Sequence, residues 1–353
     1  MFDYSALRNL LFKLPPETAH SLAELCLRGA AQTPFLLAAI AKRLASRDPS
    51  LKQTLCGLTF NNPIGIAAGF DKNATMIKPL AALGFGFVEV GTLTPKPQLG
   101  AAKPRLWRHI EQKSLQNAMG FNNDGLEAAI RRVEKIAPFV IPIGVNLGKN
   151  KTTLNKEAID DYRVGVARAE ATADYLVFNL SSPNTPDLRD LQNESFVREL
   201  FVMARSITQK PIFLKIAPDL PVGDAIKVSA GAIESGASGI IAANTTNDYS
   251  RIEGSDKNGG GLSGAVLTDK SREFFKPIAK ELFGKTTLIA SGGIMSVGEA
   301  WARIKAGASL AQIYTGLIYE GAGFVKTIND GVSAAMKSEG FNSIGEAIGS
   351  DIR

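Results

Sequence analysis

The stretch T287LIASGGIMSVGEAWARIKAGASLAQIYTG316 contains one complete structural unit. Thr287–Ala290 is a short apolar run of strand length. Val297–Ala306 follows with helical periodicity, and Ala311–Tyr314 is a second short apolar run. Most runs of this kind in the chain are apolar on consecutive positions and do not alternate, which suits parallel strands covered on the outside by helices. Each run ends in small polar residues, Ser291, Gly292 and Gly293 after the first, Thr315 and Gly316 after the second.

Working outward, the same unit recurs. Further strand-length runs fall at Ile64–Ala68, Phe87–Gly91, Ile141–Asn146, Tyr175–Leu180, Ile212–Ile216 and Gly239–Ala243. Phe196–Ile207 and Gly223–Ser235 read as intervening helices. Eight β–α units predict an α/β fold of the (β/α)8 barrel (TIM barrel) type. The alternative, a doubly wound sheet, would place G-x-G-x-x-G after its first strand, and none is present. Barrel active sites gather at the C-terminal strand ends. There the chain carries Gly69, Asp71, Lys72, Gly91, Thr92, Asn146, Asn179, Ser181, Ser182, Asn184, Lys215, Asn244, Thr245 and Thr246.

The first fifty residues read differently. Leu7, Leu10, Leu11 and Leu14 recur at helical spacing behind Ser5, a candidate N-cap. Pro15 and Pro16 interrupt. Glu17–Arg28 continues as a second helix, and Phe35–Ile40 is a third apolar run followed by Lys42, Arg43 and Arg47. The chain therefore divides into an amphipathic helical extension, 1–50, and a barrel, 51–353.

Composition narrows the chemistry. In 353 residues there are 34 Gly but only 2 Cys and 2 His. Cys26 and Cys56 cannot build a disulfide scaffold or a four-cysteine metal site, and His20 with His109 leaves little for a histidine metal centre or a Ser-His-Asp triad. Acid–base work then falls to Ser, Lys, Asn or a cofactor, and no metal is expected. The net charge of +6 comes without a run of like charges that would favour nucleic acid. No apolar stretch reaches the roughly 20 residues of a membrane span, and the N-terminus lacks the pattern of a cleavable signal peptide.

Four segments carry chemistry. SGGI (Ser291–Ile294) with YTG (Tyr314–Gly316) occupies the corner where barrels bind phosphate through backbone N–H groups. Turn glycines are the plainer reading, and having both loops together favours phosphate. Lys215 lies inside the apolar strand of FLKIAPD, where an inward lysine is costly unless paired. It could stabilise a developing anion on a cofactor. NLSSPNTP (Asn179–Pro186) reads equally as a proline-stiffened reactive loop or an ST-turn. NAMGFNN (Asn117–Asn123) offers amides to a planar ligand, with a polar turn as rival. Arg251–Gly261 is either a solvated loop or a mobile lid.

Taken together, AAGFDKN, GFVEVGT, PRLWR with NAMGFNN, GVNLGKNK, NLSSPNTPDLRDLQ, KIAPDL, ANTT, GGLSG, ASGGI and AGASLAQIYTG resemble the dihydroorotate dehydrogenases, specifically their membrane-associated, quinone-reducing class. The resemblance implies FMN at the mouth of the barrel and oxidation of dihydroorotate to orotate in pyrimidine (UMP) synthesis. It puts Ala68, Gly69, Phe70, Asp71, Lys72, Thr92, Asn146, Asn179, Lys215, Ala243, Gly264, Gly293, Tyr314 and Thr315 around the cofactor. It puts Lys72, Asn117, Ala118, Met119, Gly120, Phe121, Asn179, Asn184, Asn244 and Thr245 around the substrate. Ser182 matches the general base, which would take the C5 proton while hydride leaves C6 for the flavin. A threonine or water relay would carry the proton outward, and Lys215 would stabilise charge at flavin N1. Soluble relatives carry Cys at the position of Ser182, and this chain has no cysteine beyond position 56. Ala243 departs from the pattern, since relatives often have a hydroxyl residue there that contacts FMN.

His20, Arg108 and Tyr314 match positions that meet the quinone, although His20 on its own would read as an ordinary helix-surface histidine. The class sits peripherally on the cytoplasmic face of the bacterial inner membrane, and a monomer is expected. A tRNA dihydrouridine synthase shares fold and FMN but relies on an active-site cysteine, which no strand end supplies here. A catalytically silent, membrane-tethered barrel is opposed by Ser182, Lys72 and Lys215.

Overall fold

The computed structural model describes residues 4–353. Thirteen strands occur among them: β1 (Gln53–Leu55), β2 (Leu58–Phe60), β3 (Ile64–Ile66), β4 (Phe87–Leu93), β5 (Leu106–His109), β6 (Ser114–Asn117), β7 (Ile143–Leu147), β8 (Tyr175–Asn179), β9 (Ile212–Ile216), β10 (Gly239–Ala242), β11 (Gly261–Gly264), β12 (Thr287–Ser291) and β13 (Leu310–Ile313). Eight of these close a parallel barrel in the order β3-β4-β7-β8-β9-β10-β12-β13, with β13 returning to β3. These are the eight runs expected from sequence. The third begins at Ile143 and not at Ile141, because Pro142 has no N–H for the ladder.

The barrel strands alternate inward and outward. On β4, Val88 and Val90 pack outward against the helical layer, while Phe87 points into the barrel. The lower interior layer is built from Phe60, Phe87, Tyr175, Val177, Phe213, Ile241, Ile289 and Leu310. Glycines face these large rings. A Cβ on Gly65 would lie 2.3 Å from the Phe87 ring, one on Gly144 2.1 Å from the Tyr175 ring, and one on Gly239 2.5 Å from the Phe213 ring. The antiparallel β1–β2 hairpin turns on Cys56 and Gly57, both at positive φ, the backbone of a tight two-residue hairpin. It brings Phe60, Leu55 and Leu58 against that layer and closes the N-terminal end of the barrel.

The opposite end carries a three-stranded antiparallel sheet, β5-β6-β11, and three helices, α1 (Tyr4–Leu11), α2 (Pro16–Ala31) and α3 (Pro34–Leu44). Residues 1–3 of the N-terminal extension lie outside the described residues. Ser5 stands inside the first turn of α1, so it is not the N-cap. Specific bonds hold these helices down. Tyr4 donates to Ile318 O at 2.9 Å, Arg8 to Tyr319 O at 3.1 Å, Arg105 pairs with Glu17 at 3.0 Å, and Thr75 donates to Glu24 at 2.7 Å. The outward faces are apolar, with Leu7, Leu10, Leu14, Leu22, Leu25, Phe35 and Leu36 exposed. No described helix is long and apolar enough to cross a membrane.

Candidate active site

A cavity of about 270 Å³ opens at the C-terminal ends of the barrel strands, between the strand-end loops, the β5-β6-β11 sheet and α2. Its inner wall is a buried polar network. Lys215 on β9 lies 3.6 Å from Glu89 on β4 and donates to Gln312 on β13 at 3.4 Å. Glu89 also accepts from Asn146 Nδ2 at 2.7 Å and from Gln312 Nε2. Thr92 donates to Asn146 Oδ1 at 2.5 Å, and Asn179 Nδ2 to Thr92 Oγ1 at 2.9 Å. Each polar atom here is held by another, as burial requires.

One flank is glycine-rich. Gly264, Gly292 and Gly293 have φ of +96°, +93° and +71°. A Cβ on Gly293 would come within 2.4 Å of Thr268 Cα, and one on Gly264 within 2.6 Å of Lys113 O. Only glycine lets these turns form, and they leave backbone N–H groups available to an anion. Thr268 donates to Gly293 O at 2.7 Å and Ser271 to Gly292 O at 2.8 Å, which fixes the cradle. Ser263 and Thr315 add hydroxyls 3.0 Å apart.

The other flank is lined by amides. Asn184 Nδ2 donates to Asn117 Oδ1 at 3.0 Å, Asn244 Nδ2 to Ser181 Oγ at 2.8 Å, and the Thr245 N–H to Asn244 Oδ1 at 2.8 Å. Ser182 Oγ accepts the Asn184 N–H at 3.2 Å on the loop after β8. Thr185 Oγ1, Asn184 Oδ1 and Asn122 Oδ1 are buried with no hydrogen-bond partner among the described residues. Such atoms are costly in an empty protein and suit a polar ligand or ordered water. Lys72 completes this side. Desolvation lowers its pKa to about 8, against the opposing pull of Glu17, Glu24 and Asp71.

Between cavity and α2 runs an aromatic contact series. The His20 ring meets Phe70 edge-on at 5.3 Å, and Phe70 meets Tyr314 at 5.6 Å. Desolvation, with Lys72 nearby, pushes His20 down to about 3, so it is neutral. Burial raises Tyr314 to about 12.

Most residues expected at the site line this cavity: His20, Ala68, Gly69, Phe70, Lys72, Thr92, Asn117, Met119, Gly120, Phe121, Asn179, Ser182, Asn184, Lys215, Ala243, Asn244, Thr245, Gly264, Gly293, Tyr314 and Thr315. Four do not. The Asp71 carboxylate accepts the N–H groups of Thr75 and Met76, so it shapes the turn behind the wall. Asn146 lies one layer deeper, spent on Thr92 and Glu89. Ala118 gives its N–H to Arg105 O. Arg108 donates to Phe12 O and Leu14 O at 3.3 and 2.8 Å and stacks on Phe12, so it anchors the α1–α2 connection. Arg251–Gly261 is docked, since Gln116 Nε2 donates to Ser255 O at 2.6 Å and Gly259 O at 2.8 Å.

Sequence reasoning gave no role to Glu89, Gln312 or Thr185. Glu89 stands in GFVEVGT as a charge among apolar strand residues, the same signal that singled out Lys215.

Fold and site together define a (β/α)8-barrel enzyme. It has a glycine anion cradle at one end of its cavity, a serine and amide cluster at the other, and a buried lysine between. The family comparison makes this specific. The dihydroorotate dehydrogenase family model matches residues 50–336, and the chain belongs to that family. It is 54% identical over 351 residues to a protein of Nitratiruptor sp. named dihydroorotate dehydrogenase (quinone), covering 99% of this chain and all of the relative. A protein of the same name from Sulfurimonas denitrificans is 54% identical over 356 residues, covering 99% of each. Among solved structures, that of DHODH in complex with ferulenol from Eimeria tenella superposes with a TM-score of 0.85 at 38% identity, over 96% of each chain. The family implies a flavin. The glycine cradle suits a phosphate tail, and the lysine with its amide neighbours suits a polar ring, so the residues present fit one.

Proposed function

We propose that this protein oxidises (S)-dihydroorotate to orotate with FMN and passes the electrons to a membrane quinone, a step of pyrimidine synthesis. The observation that carries the reading is Ser182 facing the cavity amid the Asn117, Asn184 and Asn244 side chains, with the glycine cradle and Lys215 beside it.

FMN, when bound, supplies the acceptor for the hydride equivalent. The protein's residues do the rest. Gly264, Gly292 and Gly293 hold the phosphate on backbone N–H groups. Asn117, Asn179, Asn184 and Asn244 present amides that match a planar ring of alternating donors and acceptors, and Lys72 offers a cation to the substrate carboxylate. Ser182 takes the C5 proton. The Asn184 N–H at 3.2 Å stabilises charge developing on Oγ. A serine hydroxyl is already protonated, so it takes the C5 proton as its own proton leaves, and Thr185 Oγ1, buried, unpartnered and three residues on, is the proposed acceptor on that route.

The helices of residues 1–50 cover the cavity beside His20 and Tyr314, and residues 51–353 form the catalytic barrel. The exposed leucines of α1–α3, with a net charge of +6, support peripheral binding to an anionic surface, at the cytoplasmic face of the inner membrane. A monomer is the proposed state, since the cavity already joins the glycine cradle, Lys215 and the Ser182 loop.

Turnover of dihydroorotate with quinone, fumarate and NAD as acceptors tests the reading. Quinone alone should support rapid turnover by a yellow protein. A colourless protein that takes up no FMN, or faster turnover with fumarate, would refute it.

A further inference from the structure

Among the described residues, Glu89 is the one buried carboxylate in the inner wall, and the mechanism above leaves it unused. It is fully buried, projects inward from β4 behind Lys215, and does not itself line the cavity. A buried ion pair gains little stability over an apolar pair of the same volume, because desolvation offsets the attraction. The pair therefore calls for another reason. Asn146 and Gln312 both aim amide N–H donors at the carboxylate and fix it in place beside Lys215. The other ionisable group packed near it is the Tyr175 phenol, which burial and the Glu89 charge keep protonated.

We infer that Glu89 sets the reduction potential of the bound flavin by cancelling much of the field of Lys215. This rests on the flavin reading above. A lone ammonium in the cavity wall would strongly stabilise the electron-rich reduced cofactor and hold its electrons. A carboxylate fixed 3.6 Å behind that ammonium weakens this stabilisation. The cofactor then keeps enough reducing power to hand its electrons on. Lys215 stays in place to steady charge during substrate oxidation, and Glu89 limits how far that effect extends to the equilibrium.

The test is a dye-equilibrated redox titration of the flavin in wild type, Glu89→Gln, Lys215→Gln and the double variant. Glu89→Gln should favour the reduced flavin by about tenfold or more, ~30 mV upward for a two-electron couple. Lys215→Gln should shift it downward, and the double variant should return towards wild type. Loosened packing would not produce opposite shifts that cancel. Should Glu89→Gln alone fail to hold flavin, the comparison of Lys215→Gln with the double variant reads the same effect in a background where the charge pair is removed together. An unchanged or lowered potential on loss of the Glu89 charge overturns the inference. A wild-type protein that binds no flavin would overturn the cofactor reading instead.

Discussion

At the residue scale, the proposed base, Ser182, is a weak one that depends on its surroundings. Its hydroxyl accepts one backbone N–H and faces the amide cluster. Ser182→Ala should slow flavin reduction by dihydroorotate by at least ~100-fold while FMN remains bound, since general-base catalysis contributes roughly 10²–10⁴-fold. Stopped-flow absorbance measures the first quantity and the flavin spectrum the second. A near-wild-type rate would remove Ser182 from the base role. Asp71 and Arg108 show the opposite relation between sequence and site. Each sits within a motif of the site, and each is spent on backbone groups beside it. Side-chain direction cannot be read from a motif, because a carboxylate or guanidinium turns toward the nearest unsatisfied backbone.

At the element scale, the helical hood rests on the barrel through few groups. His20 on α2 is neutral because burial lowers it from 6.5 to about 3. Its contribution to docking is complete above pH 6.5. Between 6.5 and 3 the undocked helix binds the proton that the docked one refuses, so docking weakens as pH falls, by about 2 kcal/mol at pH 5. Limited proteolysis at pH 7.5 and pH 5 should show α2 cut faster at the lower pH, and His20→Asn should flatten that difference. Glu17 gives the second test. Arg105 is buried against it at 3.0 Å, and Glu17→Ala strands that cation. Quinone turnover should fall more than flavin reduction. Removing residues 1–45 should do the same more severely, and equal loss in both half-reactions would separate these helices from the quinone step. Exposed Leu10, Leu25 and Phe35 predict that detergent or vesicles compete for the hood face.

At the scale of the whole molecule, the barrel closes around paired glycines and aromatic rings. Gly144→Ala puts a methyl 2.1 Å from the Tyr175 ring. Overpacking of this kind costs about 1–3 kcal/mol, and denaturant melts should show the loss without a change in slope. The eight barrel strands were legible because parallel strands buried on both faces are near-continuous apolar runs, and their polar ends mark the active face. The β1–β2 hairpin and the β5-β6-β11 sheet were not. β1 and β2 are three residues each, β5 is half-buried throughout, and none leaves a distinctive period. The amino-acid sequence by itself determined the barrel, the glycine cradle and the residue types of the site. Only the tertiary structure decided which of them meet. Gln312 and Glu89 lie 223 residues apart, yet both reach Lys215. Their contact exists because β13, β4 and β9 share one closed interior, and in that low-dielectric space the partner of a charge fixes what the charge can do.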